Sequence, residues 1–188
     1  MADEVRQLVN RCMAGEQSAM VELVDRYRAQ ILGLCYRMLG QRQDAEDMAQ
    51  ETFVRALRNL SQWDQRRDFE PWLLAIAGNR CRTALAMRMR RPKMQTLVEP
   101  LPDESPDVHA AHHLAEEVNL ALSKLRDEYR QAFVMFHDHE LCYAEIAAVL
   151  RCPLGTVKTW VHQARRELIE HLRQREIVQE SPHALRAV

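Results

Sequence analysis

Glycine and proline are scarce in this chain, five and seven among 188 residues, about half their usual combined share. Valine and isoleucine are also sparse beside the strong helix formers Ala, Leu, Met, Glu, Gln and Arg, so the composition leaves little material for strands. An all-α fold is expected. Five cysteines (Cys12, Cys35, Cys81, Cys142, Cys152) form no C-x-x-C pair, and an odd number without metal spacing argues against a disulfide framework and for reduced thiols. No apolar run approaches the roughly 18 residues a membrane span needs, and the start MADEVRQLVNRC is acidic and amphipathic rather than secretory. A soluble cytoplasmic protein without membrane insertion is the expectation. Glycine-rich phosphate loops, nucleophile elbows and supported carboxylate pairs are missing too, so no catalytic residue and no cofactor are assigned. His109, His112 and His113 cluster, as do His137 and His139, but no cysteine or carboxylate stands at ligand spacing from them, and no metal is assigned.

A strong net charge is lacking as well, the formal value being −1, but the charges are segregated. Eight cations against two carboxylates lie between Arg66 and Lys93. From Met94 to Ser123 there is no lysine or arginine but six carboxylates, and from Arg151 to Arg175 six cations return against two carboxylates. Two cationic surfaces are thus separated by an anionic stretch. That stretch holds Pro92, Pro100, Pro102 and Pro106, a composition that resists both helix and strand. The expected organisation is two small helical domains, 1–91 and 112–173, joined by a Pro-rich acidic linker at 92–111, with a disordered tail at 174–188.

In the first domain a short helix over about Asp3–Met13 precedes a long one over Ser18–Leu39. The latter carries Met20, Leu23, Val24, Tyr27, Ile31, Leu34, Cys35 and Met38 at helical spacing and is closed by Gly40. A third helix begins near Asp44, with Asp44, Glu46 and Asp47 in the turns where the helix dipole favours negative charge. Its inward residues are Ala45, Met48, Ala49, Phe53 and Leu57, and Asp47, Gln50, Glu51, Arg55 and Arg58 are left outside. After the loop Asn59–Glu70 comes a helix over Pro71–Arg91, with Gly78 in its middle at about 1 kcal/mol relative to alanine. A glycine there signals close packing.

The second domain offers Leu114, Val118, Leu122 and Leu125 as one apolar seam and Tyr129, Ala132, Phe133 and Phe136 as the next. The segment YAEIAAVLRCPLGTVKTWVH (Tyr143–His162) then reads as helix, break and helix. The break is Arg151-Cys152-Pro153, because proline lacks an amide hydrogen and restricts its predecessor. Val157, Val161, Ala164 and Leu168 form the inner stripe of the second helix. Thr156, Lys158, Thr159, His162, Arg165 and Arg166 face outward as donors for phosphates or base edges. This is the pattern of a helix-turn-helix that reads the major groove; an ordinary helical hairpin with a solvated face is the alternative.

Three segments in order resemble the sigma factors of bacterial RNA polymerase, in the small extracytoplasmic-function group of the sigma-70 family. DAEDMAQETFVRAL (Asp44–Leu57) is similar to its polymerase-binding helix. FEPWLLAIAGNRCRTALAMRMRR (Phe69–Arg91) is similar to its downstream-promoter helix, F-x-x-W-L-x-x-I-A-x-N with a basic end. LRDEYRQAFVMFHDHELCYAEIAAVLRCPLGTVKTWVHQARREL (Leu125–Leu168) resembles its upstream-promoter domain with the P-x-G-T-V-K run. The resemblance spans about residues 10 to 173 and implies a promoter-specificity subunit with no catalytic site of its own. It implies core RNA polymerase as a partner, through its clamp coiled coil and flap, together with promoter DNA and an anti-sigma factor.

Carried residue by residue, polymerase binding falls to Asp44, Asp47, Gln50, Glu51 and Arg55. Downstream-element reading falls to Trp63, Arg66, Arg67, Asn79, Arg82 and Arg88, through aromatic stacking, base-edge bonding and phosphate contact. Trp72 is expected in the core rather than on a base. Thr156, Lys158, Thr159, His162, Arg165 and Arg166 fall on the upstream element. The family's linker threads into the polymerase's nucleic-acid channel, which the acidic segment here fits as well as it fits a solvated tether. Two departures stand out: Trp160 replaces a frequent arginine, and Arg151 stands where glycine or another turn-former is usual. A stand-alone helix-turn-helix regulator and an all-helical protein adaptor are the competing readings. Co-purification with core polymerase, lost on reversing Asp47 and Glu51, separates the first reading from both.

Overall fold

The computed structural model describes residues 2–90 and 106–175, with side chains described over 3–88 and 115–175. Most of the acidic connector, the terminal tail and the side chains of His109, His112 and His113 lie outside these residues. Among the described residues there are eight α-helices and no strand, and no helix is long and apolar enough to cross a membrane.

Helix α1 (Ala2–Met13) carries Asp3 and Glu4 in its first turn, where its dipole favours them. Helix α2 (Gln17–Leu39) buries Leu23, Tyr27, Ile31, Leu34, Cys35 and Met38 on the expected stripe. It ends where Gly40 turns left-handed (φ 72°) and donates its N–H to the Tyr36 carbonyl at 2.8 Å, the backbone conformation that glycine adopts without Cβ strain. Helix α3 (Arg42–Arg58) starts two residues before Asp44 and buries Ala45, Ala49, Phe53 and Ala56. A 3₁₀ turn at Leu60–Gln62 lies within the expected loop. Helix α4 (Phe69–Arg90) opens two residues before Pro71, which still sits in the first turn where no amide hydrogen is required.

The rear half is α5 (Pro106–Lys124), α6 (Asp127–His137), α7 (Tyr143–Leu150) and α8 (Leu154–Gln174). Helix α5 begins inside the stretch expected as linker, so residues 106–111 are helical rather than flexible connector. Proline at the first position of α5 has the φ that a helix start needs. The break between α7 and α8 falls at Arg151–Pro153, and Val157, Val161, Ala164 and Leu168 are all buried. Arg151 takes the left-handed conformation (φ 52°) that its place in the turn demands of a residue ill suited to it.

The two halves pack against each other. The buried apolar residues run continuously from α1–α4 into α5–α8; each fully buried leucine among them, such as Leu73, Leu74 and Leu122, contributes roughly 1.5–3 kcal/mol relative to exposure. Polar links cross the same boundary. The Arg37 guanidinium donates to Asn119 Oδ1 at 2.7 Å and to Asp138 Oδ2 at 3.1 Å. Arg130, 5% exposed, donates to the Met38 carbonyl of α2 as well as to Leu122 and Leu125 carbonyls in its own half; burial pushes its guanidinium pKa down. His139 Nδ1 lies 3.6 Å from Glu70 Oε1.

Candidate nucleic-acid interface

The outer face of α3 separates the expected docking residues into two sets. Asp47 and Gln50 are exposed, and Asp47 has no ion-pair partner among the described residues. Glu51 is held internally, accepting from Arg80 at 2.7 Å and from Arg55 at 3.2 Å. Burial pulls the Glu51 carboxyl upward, and the two guanidinium groups outweigh it, leaving its pKa below the ordinary carboxylate range. Asp44 lies 3.7 Å from Arg88. Glu51, Arg55 and Arg88 each have an ion-pair neighbour on the fold, while Arg55 and Arg88 keep about half of their side chains exposed. Val54, 41% exposed, joins Asp47 and Gln50 at spacings of three and four, which places an apolar residue at the centre of the face. The residue pattern contained this signal, because Val54 breaks the polar run outside Ala45, Ala49 and Phe53.

After α3, two tryptophans flank Phe69, and Trp63 is the more deeply buried of them. Trp63 is 6% exposed, with its ring edge-on to Phe69 at 5.1 Å and 89°. It packs in the core while its edge lines the same cleft as Trp72. Trp72 is half-buried, packs on the other side of Phe69 at 5.3 Å and lines a cleft of about 690 Å³. Arg66, Arg67 and Asn79 line the same cleft. The loop is set by Asp64, whose carboxylate accepts the Arg66 backbone N–H at 3.0 Å and lies 3.6 Å from Arg67, an Asx turn that turns both arginine side chains outward. Trp63 also lines the cleft and Asn79 Oδ1 accepts from Arg82, so of the expected downstream set the structure brings Trp63, Arg66, Arg67, Asn79 and Arg82 together and sets Arg88 apart, beside Asp44. The far wall of the cleft is helix α7, through Ala144, Glu145, Ala148 and Val149. Sequence patterns within either domain alone could not show that wall.

On α8, Lys158, His162 and Arg166 are exposed at spacings of four. Arg173, a further exposed cation seven residues on, extends the stripe. Thr156 is half-buried, and Thr159 donates its hydroxyl back to the Gly155 carbonyl at 2.9 Å. Arg165 lies 3.3 Å from the His137 ring of α6; burial first, then the Arg165 charge, push the His137 pKa down. Among the described residues, Lys158, His162, Arg166 and Arg173 are thus the exposed donors of the helix without a partner, whereas Thr159 bonds its own helix and Arg165 leans on His137. Trp160 is partly buried against the core.

Model families match both halves: Sigma-70 region 2 over residues 23–91 and Sigma-70, region 4 over 115–168. The ECF RNA polymerase sigma factor SigW of Bacillus subtilis is 33% identical over 90% of this chain and 97% of its own length. The ECF RNA polymerase sigma-E factor of Escherichia coli is 30% identical over 88% of this chain and 91% of its own. Among solved structures, CnrH in complex with the cytosolic domain of CnrY superposes with a TM-score of 0.70 at 27% identity, covering 93% of this chain and 99% of that one. The sigma factor RpoE of Bartonella quintana, solved with the anti-sigma factor NepR, shares the fold at a TM-score of 0.66 and 21% identity, over 81% of this chain and 95% of its own.

Proposed function

Because the chain belongs to the ECF RNA polymerase sigma factors of the sigma-70 family, we propose that it is a promoter-specificity subunit. It joins core RNA polymerase, recognises promoter DNA and directs initiation, while the polymerase supplies the chemistry. The observation that carries this reading is the order of matched regions along the chain, region 2 and then region 4, at 33% identity to SigW across nearly its full length.

Within that function, the exposed stripe Asp47, Gln50 and Val54 on α3 docks on the polymerase. Its support is chemical: an anionic and amide face with an apolar centre suits a basic helical partner surface. Glu51, Arg55 and Arg80 brace that face rather than touch the partner. Arg66, Arg67, Asn79 and Arg82, with Trp72 in place of Trp63, read and hold the downstream element, since unstacked bases are held by aromatic faces and their phosphates by arginine. Lys158, His162 and Arg166 meet the upstream element in duplex form, with Thr156, Thr159 and Arg165 supporting the helix that presents them. The domains are 1–91 and 112–173, the second preceded by one extra helical segment of α5. The site of action is the cytoplasm. CnrH was solved with the cytosolic domain of CnrY and RpoE with the anti-sigma factor NepR, and an anti-sigma protein is the regulator proposed here.

Run-off transcription with purified core polymerase and a random promoter library tests the reading. Selective start sites that depend on this chain are the expected result. Failure to direct any start, or sequence-specific duplex binding in two-fold related half-sites without polymerase, would overturn it.

A further inference from the structure

Helix α1 precedes residue 23, where the matched region 2 begins, and carries none of the residues assigned to polymerase or DNA. It is firmly seated, with Val5, Leu8, Val9 and Cys12 buried in the core. Its outer edge meets the loop between α3 and α4. That loop leaves the core after Trp63 and returns to it at Phe69, both buried, and the five residues between them, 64–68, are all exposed. Within this stretch the bonds are local: the Asp64 carboxylate accepts the Arg66 backbone N–H at 3.0 Å, and the Asp64 carbonyl accepts the Arg67 N–H at 2.9 Å. Among the described residues, the hydrogen bonds that fix the stretch to another element both come from α1. Arg6 Nε donates to the Gln65 carbonyl at 2.8 Å, and the Gln65 side-chain amide donates to Asn10 Oδ1 at 3.0 Å. Arg6 is itself held, since its Nη1 donates to Asp3 Oδ1 at 2.9 Å.

We propose that Arg6 and Asn10 are positioning residues for downstream-element reading, holding Gln65 so that Arg66 and Arg67 meet a single strand in one arrangement. This rests on the assignment of those two arginines to that strand. Five exposed residues without outside ties would spread the two guanidinium groups over many positions, and each strand contact would carry the cost of ordering them. Gln65 directly precedes both arginines, so pinning it from a rigid helix removes that freedom before a strand arrives. The two bonds divide the task. Arg6 fixes the backbone, whatever side chain stands at position 65, and Asn10 fixes the side chain and with it the rotation of the loop. Arg6 is half-buried and Asn10 exposed, so neither belongs to the apolar face that seats α1. Their loss therefore acts on the loop and leaves the helix in place.

Hydrogen–deuterium exchange of the full chain, read on peptides spanning residues 64–68, tests the tether by itself. Arg6→Ala/Asn10→Ala should exchange there several-fold faster, with the exchange of α2 and the thermal midpoint unchanged. If the double variant loses helicity, Gln65→Ala carries the test, because it removes the Asn10 bond from the loop side and leaves α1 as it is. Fluorescence anisotropy with a labelled 12-nucleotide random single strand then reads the consequence. The double variant should bind on the order of tenfold more weakly, with its affinity for random duplex unchanged. Arg6→Lys/Asn10→Asp, whose side chains can remake both bonds, should recover toward the wild type. Asn10→Ala, which changes no charge, should show part of the loss; full affinity in it would assign the loss to the Arg6 charge and overturn the proposal. Equal exchange or equal single-strand affinity in wild type and double variant overturns it too, as does a fall in thermal midpoint and in both affinities together, the mark of a merely structural helix. A wild type without affinity for the single strand overturns the assignment of Arg66 and Arg67 and the proposal with it. Neither measurement involves polymerase, so a failed tether and a failed assignment as sigma factor are told apart.

Discussion

Arg151 shows how one residue can carry a cost that its neighbours impose. Pro153 fixes the break between α7 and α8, and the chain turns through a left-handed residue to reach it, with the Cys152 N–H returning to the Ala147 carbonyl at 3.1 Å. For a residue with a Cβ that conformation costs roughly 1–2 kcal/mol, while glycine there adds unfolded-state entropy. Arg151→Gly should therefore raise stability by up to about 1 kcal/mol, seen as a higher urea midpoint with an unchanged slope. His137 is the second such residue. Its folded-state pKa is lowered by burial and by Arg165, so the unfolded chain binds the proton more readily. Stability is then present above the ordinary histidine range of about 6.5 and declines as pH falls through it. Urea midpoints measured from pH 7.5 down to 5.5 should fall in the wild type and fall less in His137→Phe, which keeps the ring contact with Phe133 and Phe136.

At the scale of elements, α3 separates support from contact, and this decides how its carboxylates respond to reversal. Asp47→Lys removes an exposed charge with no ion-pair partner among the described residues and should leave thermal stability unchanged while weakening core-polymerase binding about tenfold in a pull-down titration. Glu51→Lys should instead lower stability by about 1–2 kcal/mol, because it strips Arg80 and Arg55 of their shared acceptor and places a third cation beside them. Its loss of polymerase binding would then follow from a loosened α3–α4 pair. Helix existence, the inner stripes of α2 and α8 and the break at Pro153 were legible in the residues, because burial imposes a 3.6-residue period that solvent-facing positions do not disturb. Engagement on the outer faces was not legible. Whether Glu51 faces a partner or Arg80 depends on a helix 29 positions away, and whether Trp63 or Trp72 enters the core depends on which side of Phe69 each approaches. Gly78 was readable as a packing signal, but its occupant, Gln131, comes from the other half of the chain.

For the whole molecule, a net charge of −1 conceals cations that differ in availability, and salt dependence counts the available ones. Each phosphate neutralised on duplex DNA contributes about −0.9 to the slope of log affinity against log salt. On α8 three exposed lysine or arginine side chains share the outer stripe, Lys158, Arg166 and Arg173; Arg165 leans on His137 and Arg175 donates to Glu117 at 2.8 Å. Arg66 and Arg67 at the α4 cleft are exposed as well but are assigned to an unstacked strand, so a duplex draws on α8. The free wild type should therefore bind random duplex weakly with a slope of about −3, and Lys158→Ala should flatten it by about 1 across all sequences. Arg66→Ala/Arg67→Ala should leave the duplex slope unchanged, because those two cations serve the single-stranded contact. A slope that flattens in Arg66→Ala/Arg67→Ala as much as in Lys158→Ala would place the duplex contacts on both halves, so anisotropy titrations over a salt series on all three proteins locate the charges that meet duplex DNA.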